Sequence, residues 1–240
     1  MHWNDEGIVL SARPHGESAV VVHLLTRGQG RHAGLVRGGQ GRRARGIYQP
    51  GNLVAATWSG RLAEHLGTFS CELLESYAAR VLDDPERLAA LSAAAAVSEA
   101  ALPEREPHGA CFEGFRALLE ALSGEHWAEV YVRWELSLLA ELGFGLDLAA
   151  CAAGGDNDQL AYVSPRSGRA VSLAAGEPYR DKLLPLPGFL AGRGGGGPEE
   201  VGQGLALTGF FLERHVFAPH HKSLPAARRR LAERFPPLWK

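Results

Sequence analysis

Short apolar runs alternating with polar positions fill the first 75 residues, and helical spacing takes over after Ser76. EGIVLSAR (6–13), SAVVVHLL (18–25) and RHAGLVRG (31–38) are rich in β-branched residues. Turn signals separate them, at Arg13-Pro14-His15-Gly16 and at Arg27-Gly28-Gln29-Gly30. NLVAATWSGR (52–61) and TFSCELLE (68–75) bring the strand count to five, the number of a small closed barrel of the OB-fold or SH3-like kind. From Ser76 onward YAARVL, PERLAALSAAAAVSEAAL with Pro85 at its start, and ACFEGFRALLEAL read as helices. In HWAEVYVRWELSLLAELG, Trp127, Val130, Tyr131, Trp134, Leu138 and Leu142 share one face, and Val132, Leu136 and Leu139 widen it until little polar surface remains. A helix that apolar is buried, so it is expected to be the spine of a second domain, stopped by Gly143 and Gly145.

Residues 150–180 break the helical pattern and predict a loop-rich insert with β-like pieces at Tyr162-Val163 and Ala170-Val171. The run Gly192 to Gly197 reads as a linker. Two helices are expected to close the chain. One lies near 199–217; the other puts Leu224, Ala227, Leu231 and Phe235 on one face, with Arg229, Arg230 and Arg234 off it. The pattern therefore predicts two domains, 1–76 and 77–240.

Charge sharpens this division. The net charge of −2 hides a front segment, 1–63, with eight basic and three acidic side chains. No Asp or Glu occurs between Glu17 and Glu64, while Arg27, Arg31, Arg37, Arg42, Arg43, Arg45 and Arg61 do. Eight glycines lie between Thr26 and Gly51, so the stretch is expected to be a flexible loop whose backbone approaches a partner closely. An arginine-only surface of this kind meets phosphates. Tyr48 is the best candidate there for stacking on a base, with Trp58 equally at home in a core. One stacking residue does not read sequence, so contacts to the phosphate backbone are expected to carry binding.

Other chemistries find no support in the sequence. Gly28-Gln29-Gly30 lacks the third glycine of a dinucleotide fingerprint and precedes a strand, and no GxxxxGK[ST] occurs. His215, His220 and His221 cluster, but without HExxH or a carboxylate at helical ligand spacing. No GxSxG is present. Cys71, Cys111 and Cys151 are three scattered thiols, which fits a reducing cytosol better than a disulfide framework. The first residues are acidic rather than basic, and no apolar run reaches about 18 residues, so a soluble cytoplasmic protein is expected.

The order of these features resembles the RecO family of bacterial recombination mediators along essentially the whole chain. The resemblance rests on Gly7-Ile8-Val9-Leu10, Gly16-Glu17, Thr26 to Gly30, and Val36-Arg37-Gly38 running into Gln49-Pro50. Leu142 to Leu148 before Cys151, and Lys222 to Arg228, complete it. It implies an N-terminal OB-fold, an all-α domain and no catalytic turnover. It also implies binding of single- and double-stranded DNA, annealing of strands coated by single-strand-binding protein, and partnership with RecR. Many family members carry two Cys-x-x-Cys pairs in the insert. Here Cys151 has Gly154 at its mate position, and no thiol lies around Val171 to Ala175. The insert is thus expected to keep a finger-like shape without zinc.

The resulting reading is a non-enzymatic repair and recombination mediator without a cofactor, nucleoid-associated when bound to DNA. Arg31, Arg37, Arg42, Arg43, Arg45 and Tyr48 are its expected DNA contacts. The rivals are a regulatory protein whose basic loop docks an acidic partner, and an enzyme built on His215, His220 and His221.

Overall fold

The computed structural model describes residues 1–240 apart from 63, 155, 156, 195 and 237–240, and without the side chain of residue 158. Its first strand, β1 (His2–His15), is fourteen residues long and serves two neighbours. Its first half pairs with β4 (Leu53–Ser59), from His2↔Ser59 to Ile8↔Leu53. Its second half pairs with β2 (Ala19–Thr26), with a register shift between Val9 and Ser11. A bulge there bends the strand and lets one ribbon turn the barrel's corner. β3 (Gly30–Val36) pairs with β2, and β5 (Thr68–Glu75) with β4. A parallel contact, Leu35↔Thr68, closes the barrel in the order β1-β2-β3-β5-β4. This five-stranded closure is the OB-like barrel that the alternating pattern predicts.

The barrel interior holds Val9, Val20, Val22, Leu24, Val36, Tyr48, Val54, Ala56, Trp58 and Phe69. Alternation delivers them, as in β2, where Val20, Val22 and Leu24 point inward. Between β3 and β4 the expected flexible loop contains a short helix, α1 (Arg42–Ile47), whose Ala44 and Ile47 pack against that interior.

After the short α2 (Tyr77–Arg80) comes α3 (Pro85–Ala101). Pro85 occupies its first turn, and the Asp84 carboxylate caps it by accepting from the Glu86 and Arg87 amides at 3.0 and 3.1 Å. Its buried Ala90, Ala93, Ala94 and Ala95 leave room for close approach, and α3 packs on β1 and β2. α4 (Gly109–Ala121) also packs on β2. The compact units consequently do not divide at 76/77. They are Met1–Glu125 with Pro225–Arg228, and His126–Leu224 with Arg229–Lys240.

In the second unit, α5 (Trp127–Glu141) buries Trp127, Tyr131, Val132, Trp134, Leu138 and Leu139. It also buries Glu135, whose carboxylate accepts from Thr208 Oγ1. Thr208 belongs to α7 (Pro198–Phe211), and Gly204 brings that helix close to α5, since a Cβ there would meet Val132 at 2.8 Å. α7 stops short of the expected 199–217 span and passes into a π-helical turn, Leu212–Phe217. The insert is a sheet of β6 (Leu160–Val163), β7 (Ala170–Ser172) and β8 (Leu184–Pro185) in the order β7-β6-β8, with the four-residue α6 (Leu173–Gly176) following β7. Leu160, Val163 and Val171 are buried in it, but Leu173 opens α6 and is 47% exposed. Cys151 is buried as well, its sulfur accepting from the Ser172 amide at 3.2 Å. Of the acids near it, Asp156 and the side chain of Asp158 lie outside the described residues, as does Gly195 of the glycine run. α8 (Ala226–Glu233) closes the chain, with Arg228 fully buried and Arg229 and Arg230 exposed.

Candidate nucleic-acid interface

The segment between β3 and β4 is built to hold arginines outward. Gly38 turns the chain at φ +68°, and its carbonyl accepts from the Gly41 amide at 3.1 Å. Gly39 lies against Val20, where a Cβ would come within 2.3 Å of Cγ2. Gln40 ties the turn to the β1–β2 connection, donating from Nε2 to the Gly16 and Ala19 carbonyls at 3.0 Å each. Asn52, fully buried, donates from Nδ2 to the Gly46 and Ile47 carbonyls at 2.9 and 3.1 Å, satisfying the end of α1. Neither Gln40 nor Asn52 stands out in the sequence; the one available signal is an asparagine directly after the Pro50-Gly51 turn.

On this frame Arg37, Arg42, Arg43 and Arg45 are exposed. None of the four makes a salt bridge or side-chain hydrogen bond among the described residues. Arg42 and Arg43 occupy the first turn of α1, which carries no acid. A cation there faces the positive end of the helix dipole, a local cost of a few tenths of a kcal/mol. A local rule broken without compensation among the described residues fits a surface shaped for an external anion.

Two expected contacts are differently placed. Arg31 sits in β3 with its side chain 15% exposed, donating from Nε to the Leu102 carbonyl at 2.8 Å and pairing with Glu104 at 3.1 Å. It is committed to holding the chain after α3. Tyr48 is 7% exposed, because α1 turns its ring into the barrel interior beside Cys71. Burial pushes the Cys71 thiol up to about 11 and raises the Tyr48 hydroxyl as well, so both are neutral near pH 7. A ring so enclosed offers no face to a base. Arg27 also differs from the free arginines, pairing with Glu6 at 2.9 Å and Glu113 at 3.3 Å.

The histidine rival does not converge. His215 stacks on Phe144 and Phe211 at 5.2 and 5.9 Å between centroids, whereas His220 and His221 are exposed. Among the described residues, no three His, Cys, Asp or Glu side chains gather as metal ligands. No described helix is long and apolar enough to cross a membrane.

The chain matches two protein-family profiles, Recombination protein O N terminal over residues 1–77 and Recombination protein O C terminal over residues 82–225. Relatives named DNA repair protein RecO cover it almost end to end. That of Rhodospirillum centenum is 64% identical over 237 residues, 98% of this chain and 95% of the relative. That of Rhodospirillum rubrum is 53% identical over 242 residues, 98% and 96%. That of Methylobacterium nodulans is 52% identical over 235 residues, 95% of each.

Proposed function

This chain belongs to the RecO family of DNA repair proteins, and from that premise we propose that it is a recombination mediator gripping DNA through its barrel. The observation that carries the reading is the set Arg37, Arg42, Arg43 and Arg45, exposed and unpaired among the described residues, on a frame anchored by Gln40 and Asn52. Guanidinium groups without internal partners bind phosphates, and phosphate contacts carry no sequence information. Binding is therefore non-specific and covers single and double strands. Tyr48 supports the frame from within and Arg31 holds the chain after α3, rather than either touching the nucleic acid.

In this role the protein has no catalytic centre and works in the cytoplasm, on the nucleoid when DNA is bound. It anneals complementary strands coated by single-strand-binding protein and, with RecR, helps load the recombinase. The test is annealing of complementary strands, bare and coated, with and without RecR. Acceleration of both, with RecR affecting the coated reaction, supports the role. A protein that binds DNA but leaves annealing at the spontaneous rate is no mediator. The alternative, docking of an acidic protein, is favoured only if such a protein binds with DNA absent and the four arginines are needed for it.

A further inference from the structure

At the other end of the barrel from α1 lies a cleft of about 500 Å³, walled by Trp3, Gln29, His32, Trp58 and Arg105. That volume is in the range of small-molecule sites. His32 stands near the start of β3 and Arg37 follows its end, so the cleft lies about 17 Å from the arginines along the strand.

The aromatic walls are built in. Trp3 stacks on Trp58 with centroids 5.9 Å apart and planes 12° apart, and His32 meets both edge-on at 5.2 and 5.0 Å. Glycines make room for the indole of Trp58: a Cβ at Gly60 would come within 2.5 Å of it, and one at Gly67 within 2.4 Å. Trp3, half-buried, is the accessible ring.

The polar wall is equally specific. Arg105 has φ +62°, a conformation uncommon for a residue with a side chain, and one that recurs where function holds a backbone in place. Its amide donates to the Arg31 carbonyl at 2.8 Å, and its guanidinium to the Glu64 carbonyl at 2.8 Å. Gly30 permits this, since a Cβ there would meet the Glu106 carbonyl at 2.1 Å. His32 is 4% exposed and has its Nδ1 3.0 Å from the Ala33 carbonyl; its Nε2 has no partner among the described residues. Burial lowers the pKa of His32, so near pH 7 the ring is neutral and Nε2 is an acceptor. Nearby Arg61, exposed and unpaired among the described residues, offers a guanidinium to a phosphate.

The geometry points to this cleft as a pocket for one unstacked base of single-stranded DNA, stacked against Trp3 and donating an edge N–H, which every base possesses, to His32. The inference rests on the DNA-binding reading above but concerns a different surface. Bases in duplex DNA are stacked and cannot enter, so the cleft would give a preference for single strands that the arginines alone do not. Stacking tolerates any base, so the preference carries no sequence specificity.

The test uses the full chain and three DNAs of about twenty residues: a single strand, the same backbone with abasic sites throughout, and a duplex. The base-bearing strand should bind roughly tenfold tighter than the abasic one and alone should quench tryptophan fluorescence. Trp3→Leu should abolish that difference and leave duplex affinity unchanged. Equal affinity of the wild-type protein for base-bearing and abasic strands would overturn the pocket while leaving the arginine surface standing. A Trp3→Leu variant that loses duplex binding to the same degree would also overturn it. Binding of none of the three would remove the DNA-binding reading and the pocket together. The wild-type comparison decides the matter even if the variant fails to fold.

Discussion

Protonating His32 puts a charge among Trp3, Trp58 and Phe69. Burial, assisted by the Arg105 charge and opposed by the Ala33 carbonyl, holds its pKa below 6.5. The unfolded chain takes up this proton near the ordinary value, so the stability it reflects is present above about pH 6.5 and is lost as pH falls through the lower folded value. The melting temperature should therefore drop between pH 7 and pH 5, and His32→Gln should shrink the drop. His23, lowered by burial against the opposing pull of Glu99, leaves a remainder. An identical drop in the variant would exclude His32 as the source. Trp134, 6% exposed, should cost about 3–5 kcal/mol when cut to alanine, measured by denaturant unfolding. A change within error would mean that its ring is not part of the core. Single residues were the least legible level of this sequence. The free arginines stand out by charge, but Arg31 reads the same in one letter and is tied to Glu104 and Leu102 by a chain return 71 residues away. Tyr48 read as exposed because it lies in the arginine-rich stretch; the turn of α1 decides otherwise.

α1 is six residues long, too short to stand alone, and it places three of the four free arginines. Asn52 is its clamp, so Asn52→Ala leaves the Gly46 and Ile47 carbonyls without their donor. A loss of about 1–3 kcal/mol is expected, with faster amide exchange across residues 42–47. Protection unchanged from wild type would show that Ala44 and Ile47 hold the helix by packing alone. In the insert, the Cys151 sulfur already accepts a backbone amide, and Leu160, Val163 and Val171 supply a small core. Chelator should leave the melting curve unmoved, and elemental analysis of tag-free protein should find well below one zinc per chain. Stoichiometric zinc, lost with stability on chelation, would contradict this. Elements were more legible than residues because periodicity and proline are local signals: all five barrel strands, the start of α3 at Pro85 and the span of α5 follow from them. α1 did not, since glycine and arginine hide a helix that depends on an asparagine beyond its end, past the Pro50-Gly51 turn.

For the whole molecule, the division of the chain was legible only in part. The charge asymmetry marks the barrel, but the compact first unit also takes in α2, α3 and α4, because the alanine face of α3 and the side of α4 rest on β1 and β2. No local pattern announces which unit a helix joins. Ionic strength is the direct test of the claim that the barrel holds DNA through the exposed guanidinium groups beside β3. Binding of a single strand is measured across a range of salt for the wild-type protein and for the triple variant Arg42→Ala, Arg43→Ala, Arg45→Ala. Three lost phosphate contacts should reduce the slope of log affinity against log salt by roughly 2, with the melting temperature unchanged. A folded variant with the wild-type slope would contradict the claim.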